Sequence, residues 1–266
     1  MLYIVATPIG NLQEITFRAV EILKSVDYIA CEDTRTSKVL LDYYGIKNKL
    51  VAYHKFNEKE EALKIVRDLE KGKNIALISD AGTPGISDPG NVLVNVLKEK
   101  GLEYTVVSGP SALINAFVLS GFPTPFTFVG FLPDKVGKQR ELLMSLKNYD
   151  STLIFYVSPH SFEDNIKVMY EIFGDREFCV VREISKKFEE ITFANLKSDY
   201  TGTIKGEFVV LIKPSENKID VDMPIDKCIE HYMAQGLNKN DAIKLVAKER
   251  NLKKNEVYKY TIKTDE

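Results

Sequence analysis

Five short β-type runs, Leu2–Ala6, Tyr28–Cys31, Leu50–Tyr53, Ile75–Ser79 and Tyr104–Val107, alternate with helical patterns along the first part of the chain. Ala19, Ile22, Leu23 and Val26 recur at i, i+3, i+4 and i+7, as do Ala62, Ile65, Val66 and Leu69. Strand and helix in strict turn predict a parallel sheet covered by helices on both faces, an α/β architecture. Asn57 with Glu60 three residues later predicts a helix start of the capping-box kind. Asp88-Pro89 predicts a capping carboxylate ahead of a proline in the first helical turn.

The pattern then changes. Helical spacing persists at Lys138–Leu146 and His160–Ile172, but strands crowd together at Phe126–Phe131, Thr152–Val157, Phe178–Glu183, Glu190–Leu196 and Glu207–Ile212. Gly121-Phe122-Pro123-Thr124-Pro125 interrupts both periods. The expected organisation is an N-terminal α/β domain over 1–120 and a second α/β domain with a mixed sheet over 121–216. A small helical module over 222–266 follows the linker-like Pro214–Lys218, with Ala242, Leu245 and Val246 on one helical face.

Composition narrows the partners. With 44% hydrophobic residues in 266, the chain can bury substantial cores and is not a disordered one. No apolar run approaches the ~20 residues that span a bilayer. The first residues lack the basic flank of a secretory signal, so the cytoplasm is the expected compartment. Cys31, Cys179 and Cys228 are odd in number and widely spaced, which fits neither a disulfide framework nor a zinc knuckle. His54, His160 and His231 match no metal spacing, so no metal is expected. A formal net charge of −2 excludes an indiscriminate polybasic binder. That balance is uneven: Leu237–Lys263 carries eight Lys/Arg against three acids, leaving the remainder at −7.

Ligands of open parallel sheets bind off the C-terminal strand ends. Four loops lie there. Thr7-Pro8-Ile9-Gly10-Asn11-Leu12 has one glycine and is no dinucleotide fingerprint. Cys31-Glu32-Asp33-Thr34-Arg35-Thr36 groups two acids, a hydroxyl and an arginine, a set suited to orienting a polar substrate, capping a helix, or both. Ser79 to Gly90 packs three glycines and two prolines into twelve residues, which fixes backbone in some places and admits a ligand in others. It lacks the GK[ST] of a nucleotide-triphosphate loop. Ser108-Gly109-Pro110-Ser111-Ala112 opens a helix with small residues. Tyr53-His54-Lys55-Phe56-Asn57-Glu58 adds aromatic and polar groups at a fifth position, as a strand edge or as a surface facing substrate.

In this order the loops resemble those of the tetrapyrrole methylase superfamily, and within it the branch that methylates ribosomal RNA. Phe128-Val129-Gly130-Phe131-Leu132-Pro133, Ser158-Pro159-His160, Arg182-Glu183, Phe188-Glu189-Glu190 and Gly206-Glu207-Phe208 extend the resemblance over nearly the whole chain. Val157 and Ser161 stand where the family commonly carries Glu and Arg, and Ala6 where glycine is usual. The resemblance implies two α/β domains of tetrapyrrole-methylase type with S-adenosyl-L-methionine between them, and a homodimer. It implies 2′-O-methylation of a cytidine in small-subunit (16S) ribosomal RNA, in free RNA or within an assembled subunit. The implied cofactor contacts are Pro8, Thr83, Ile86, Ser111, Ala112, Tyr156, Glu183, Ile184, Gly206, Glu207 and Phe208.

A ribose hydroxyl needs a proton acceptor, and strand-end position makes Asp33 and Glu32 the first candidates, with Arg35 positioning a phosphate or the acids. Lys186 is the second candidate, if burial depresses its pKa. Lys239, Lys244, Lys248, Arg250, Lys253 and Lys254 of the basic tail are the candidate RNA contacts. A corrin or porphyrin methylase, and a non-catalytic RNA-binding adaptor, are the alternatives.

Overall fold

The structure is a computed structural model and describes residues 1–198, 200–215, 223–234, 237–250 and 252–261. Parts of Pro214–Lys218 and of the tail, Lys263 included, lie outside the described residues. The chain forms two units, Met1–Ser215 and Glu216–Glu266.

The first sheet contains β1 (Leu2–Val5), β2 (Tyr28–Cys31), β3 (Leu50–Ala52), β4 (Ile75–Ile78) and β5 (Tyr104–Val107), in the order β3-β2-β4-β1-β5. All four pairings are parallel. The connecting helices are α1 (Phe17–Ser25), α2 (Thr34–Tyr43), α3 (Glu58–Glu70) and α4 (Asn91–Lys100). Alternate strand residues serve opposite cores. Leu2, Ile4, Ile75 and Leu77 meet Ile65, Val66 and Leu69 of α3 and Leu93 and Leu97 of α4. Val5, Ile29, Cys31, Ala76 and Ile78 meet Ala19 and Leu23 of α1 and Leu41 of α2. Burial on both faces is why these strands read as continuous apolar runs.

The second sheet contains β6 (Phe126–Phe131), β7 (Thr152–Val157), β8 (Glu177–Arg182), β9 (Glu190–Asn195) and β10 (Phe208–Ile212), in the order β6-β7-β10-β8-β9. It is mixed: β6 and β7 are parallel and the other pairs antiparallel. On one face Phe155, Phe178 and Val210 pack against α6 (Val136–Leu146) and α7 (Phe162–Phe173). On the other, Ile154, Cys179, Val181, Val209 and Leu211 pack against Leu113 and Ala116 of α5 (Ala112–Ser120) and against Ile9 from the loop after β1. α5 precedes the expected boundary at residue 121 yet packs on the second sheet. This shared core fixes the strand ends of the first sheet against the inner face of the second. β9 is an edge strand whose burial alternates along its length, with Ile191 and Phe193 on the exposed face.

Two helix starts differ from expectation. Asn57 makes no side-chain cap. Its amide instead accepts from the His54 N–H at 2.8 Å and donates to the Ala52 carbonyl at 3.0 Å. Asp88 does not cap a helix either, because α4 begins at Asn91 behind Gly90. Asp88 lies in a bend and Pro89-Gly90 form a turn, so the carboxylate is left to the loop.

The second unit holds α8 (Ile225–Ala234), α9 (Lys239–Glu249) and α10 (Lys254–Tyr258) around Cys228, Ile229, Tyr232, Ala242, Val246 and Val257. Asn238 caps α9, accepting the Asp241 N–H at 3.0 Å. Among the described residues no helix is long and apolar enough to cross a membrane.

Candidate functional site

The strand-end loops of the first sheet and the inner edge of the second enclose a cleft of about 370 Å³. The first sheet contributes Ile9, then Ala81, Gly82, Thr83, Ile86, Ser87 and Asp88, then Ser111 and Ala112 at the start of α5. The second contributes Phe131, Tyr156, Val157, Ser158, Pro159, Ile184, Glu207, Phe208 and Val209. The walls are largely apolar. The Tyr156 ring stacks edge-on against Phe128 and Phe131, with centroids 5.0 and 5.5 Å apart. Burial pushes its hydroxyl up to about 12.

Of the expected cofactor contacts, Thr83, Ile86, Ser111, Ala112, Tyr156, Ile184, Glu207 and Phe208 line this cleft. Pro8, Glu183 and Gly206 do not. Pro8 is buried beneath the loop, and its neighbour Ile9 faces the cleft. Glu183 and Gly206 form the support behind Ile184 and Glu207. The Glu183 N–H donates to the Glu207 carbonyl, and the Glu207 N–H returns to Glu183 Oε1, both at 2.9 Å. A Cβ at Gly206 would collide with that carboxylate. Glu183 and Ser185 have φ of 50° and 63°, sparsely populated values for residues with side chains. The turn that aims Ile184 into the cleft is thus held by its partners rather than by local preference.

Lys186 completes that support. Its Nζ donates to Glu183 at 2.9 Å and to Glu207 at 3.1 Å. Burial acts to lower its pKa, but the two carboxylates outweigh burial and the net shift is upward. A depressed pKa, the condition for Lys186 to accept a proton, is therefore contradicted.

The Cys31–Thr36 loop divides into two roles. Asp33 is the N-cap of α2 and is gripped by Arg35, whose Nε and terminal nitrogen reach its two oxygens at 3.1 and 2.7 Å. Those hydrogen bonds hold its pKa down at about 2. Such a carboxylate is a weaker proton acceptor near neutrality than one with an ordinary pKa, which weighs against Asp33 as the base. Arg35 is 89% exposed and engaged with Asp33. Glu32 behaves oppositely: burial, then the charges of Asp88 and Asp80, raise its pKa. Strand register explains the grouping. Cys31 pairs with Ile78, which brings Ser79 and Asp80 beside Glu32, and the Asp33 N–H donates to Asp80 Oδ1 at 3.1 Å.

Asp88 is the residue that sequence reading missed. It lines the cleft, and burial followed by the Asp80 charge raises its pKa against the opposing Ser79 hydrogen bond. Its neighbour Pro89 gave it the look of a helix cap. The signal lay in its place within the most constrained loop of the chain. Cys31 is fully buried, and that burial pushes its thiol pKa up. Among the described residues no group of three His, Cys, Asp or Glu is placed to hold a metal ion.

In the second unit, Lys239, Lys244, Lys248, Lys253 and Lys254 are exposed. Lys244 pairs with Asp241 at 2.8 Å. Arg250 is different: its guanidinium donates to the Met223 carbonyl at 2.8 Å and to Cys228 Sγ at 3.4 Å. It ties the end of α9 to the start of α8, a structural role that the exposed lysines lack.

Residues 1–198 match the family of Tetrapyrrole (Corrin/Porphyrin) Methylases. Proteins named ribosomal RNA small subunit methyltransferase I are similar over almost the full length. The one from Bacillus subtilis is 42% identical, covering 97% of this chain and 92% of its own. That from Haemophilus influenzae is also 42% identical, covering 98% and 95%. Among solved structures, the methyltransferase CobJ superposes with a TM-score of 0.63 at 17% identity, over 82% of this chain and 96% of its own. Uroporphyrin-III C-methyltransferase from Thermus thermophilus gives 0.57 at 15% identity, over 80% and 93%.

Proposed function

The chain belongs to the tetrapyrrole methylase family, and from that premise we infer that it transfers a methyl group from S-adenosyl-L-methionine to small-subunit ribosomal RNA. The acceptor in this reading is the 2′-hydroxyl of a cytidine. The observation that carries it is a cleft built by strand-end loops of the first sheet and closed by the second, in a chain 40% identical to a ribosomal RNA methyltransferase. Likeness to the tetrapyrrole enzymes, at 15% and 17% identity, supports the fold alone. A non-catalytic adaptor has no need of such a cleft.

The residues present fit the cofactor. Ile9, Ile86, Tyr156 and Ile184 offer apolar surface for an adenine ring. Ser111 makes no side-chain cap at the start of α5, where the Leu113 N–H is directed at the Tyr156 hydroxyl of the cleft wall. Asp88 and Glu207 supply negative charge for a cationic ligand. Bound there, the cofactor supplies a sulfonium-activated methyl group. Most of the protein's task is then to hold donor and hydroxyl in line. Asp88, with Glu32 beside it, accepts the hydroxyl proton in this reading. Asp33 and Arg35 shape the loop, and Lys186 braces the wall.

The second unit grips RNA phosphate through Lys239, Lys244, Lys248, Lys253 and Lys254. The working form is a homodimer. α5 is apolar around most of its circumference, and Ile114, Val118 and Leu119 remain exposed in the single chain. An assembled subunit is the substrate we favour, and its location puts the reaction in the cytoplasm.

The test is to incubate the protein with methyl-labelled cofactor and either isolated small subunits or a tetrapyrrole. Ribose methylation is then mapped by mass. Label on one ribose of the RNA is expected. Label on a base, or on the tetrapyrrole alone, would overturn the reading.

A further inference from the structure

We propose that Phe56 is a stacking platform for a nucleobase of the RNA substrate, presented at the cleft rim by the Tyr53–Asn57 turn. The proposal rests on the reading of the substrate as RNA. Phe56 is 95% exposed. Its exposure is not slack chain. The Asn57 and Glu58 N–H groups both donate to the His54 carbonyl, at 3.0 and 2.9 Å. Asn57's side chain closes the turn from within, onto His54 N and Ala52 O. Tyr53, 1% exposed, anchors it in the core. The His54 ring lies edge-on to Phe56 with centroids 6.0 Å apart, and its Nδ1 is enclosed without a hydrogen-bond partner.

Strand register leads from this turn to the cleft. Ala52 pairs with Cys31, and the Tyr53 N–H donates to the Cys31 carbonyl at 2.7 Å. His54 therefore emerges beside Glu32, whose ionisation it favours. Glu32 in turn feels the charge of Asp88, which lines the cleft. In this proposal a nucleotide whose ribose reaches Asp88 extends over this turn.

Charge at the rim selects the kind of contact. Glu32, Asp33, Asp80, Asp88 and Glu58 are acidic, Arg35 is engaged by Asp33, and Lys55 is the exposed cation of the turn. Phosphate is repelled from such a surface. A neutral base face is not, and aromatic side chains are what proteins use to hold unstacked bases of single-stranded RNA.

The chain contains no tryptophan, so Phe56→Trp installs a sole indole reporter. Titration with isolated small ribosomal subunits, and with a short cytidine-containing single-stranded RNA, is expected to quench its fluorescence saturably. Tyr149→Trp is the control, because it precedes β7 at the end opposite the cleft. In transfer assays Phe56→Ala should raise KM for small subunits roughly tenfold. Cofactor affinity and melting temperature should be unchanged, and Phe56→Tyr should restore KM. An unquenched indole, or a wild-type KM in Phe56→Ala, overturns the proposal. If wild-type protein transfers no methyl to small subunits, the reading of function fails, while quenching by the oligonucleotide still decides the stacking.

Discussion

Thr7 and Gly82 exchange backbone hydrogen bonds in both directions, at 2.9 and 3.0 Å, and so staple the loop after β1 to the loop after β4. The Thr7 hydroxyl adds a bond to the Ser79 carbonyl at 3.2 Å. Gly82 holds the position at a φ of 75° and lines the cleft. A Cβ there would meet Ile9 at an ordinary 3.5 Å, so the cost of a side chain is backbone strain rather than collision. Gly82→Ala should lose about 1–2 kcal/mol. The cleft should bind S-adenosylmethionine more weakly, because its floor is the stapled loop. Thermal melting and calorimetric titration check this. An unchanged cofactor affinity would show that the staple does not shape the site.

Lys186 bridges Glu183 and Glu207, and the two carboxylates favour its charged form. The Glu183 carboxylate is partly desolvated, yet its hydrogen bonds from Lys186 and the Glu207 amide hold its pKa below the ordinary value. Its stabilising contribution is therefore present above the usual Glu range, about 4.3, and fades as pH falls through the folded-state value. For Lys186, raised by the same pair, the contribution is present below about 10.4 and lost as pH rises through its folded value. Lys186→Met should cost about 1–2 kcal/mol across that window and raise KM for the cofactor. The pH profile of turnover should keep its shape. Loss of a titrating limb in that profile would restore Lys186 as a base.

Asp88 and Glu32 carry the opposite signature. Their pKa values are raised, chiefly by burial, so the folded state disfavours their charge. That penalty grows as pH climbs through the folded-state values, and it vanishes below the ordinary carboxylate range. Asp88→Asn should raise the melting temperature at neutral pH, with a smaller gain in acid. It should lower kcat by about 10²-fold or more, and the acidic limb of turnover should go with it. Asp33→Asn should leave that limb in place. Full turnover in Asp88→Asn, or an unaltered limb, would send the search for the proton acceptor elsewhere.

What the sequence could and could not reveal follows from the range of the forces involved. β1, β2 and β4 are legible because they are buried on both faces, and a run such as Ile75-Ala76-Leu77-Ile78 has no other stable environment. The loop from Ser79 to Gly90 is legible because its glycines and prolines answer to local backbone constraints. Asp88 was hidden because Asp-Pro looks the same whether it caps a helix or lines a cleft. Only the start of α4 at Asn91 separates the two. The upward Lys186 shift draws on Glu183 nearby and on Glu207, twenty-one residues away in sequence. Likewise, the packing of α5 onto β8 and β10 is invisible in its own apolar composition. Local chemistry was readable, and partner-dependent chemistry was not.

The helical unit separates the roles of its cations. Arg250 donates to the Met223 carbonyl and touches Cys228, whereas Lys248, Lys253 and Lys254 stand in solvent. Arg250→Ala removes a charged donor from a partly enclosed carbonyl and should destabilise the unit by about 1–3 kcal/mol, read as loss of helical signal in the full chain. Replacing Lys248, Lys253 and Lys254 together by Ala should leave that signal alone. Each phosphate of single-stranded RNA that a lysine neutralises steepens the fall of log affinity with log salt by about 0.7, so the triple variant should flatten that slope by about 2. Measured against small subunits across a salt series, a flattened slope with intact folding assigns the lysines to phosphate. An unchanged slope would assign this basic surface to a partner other than RNA.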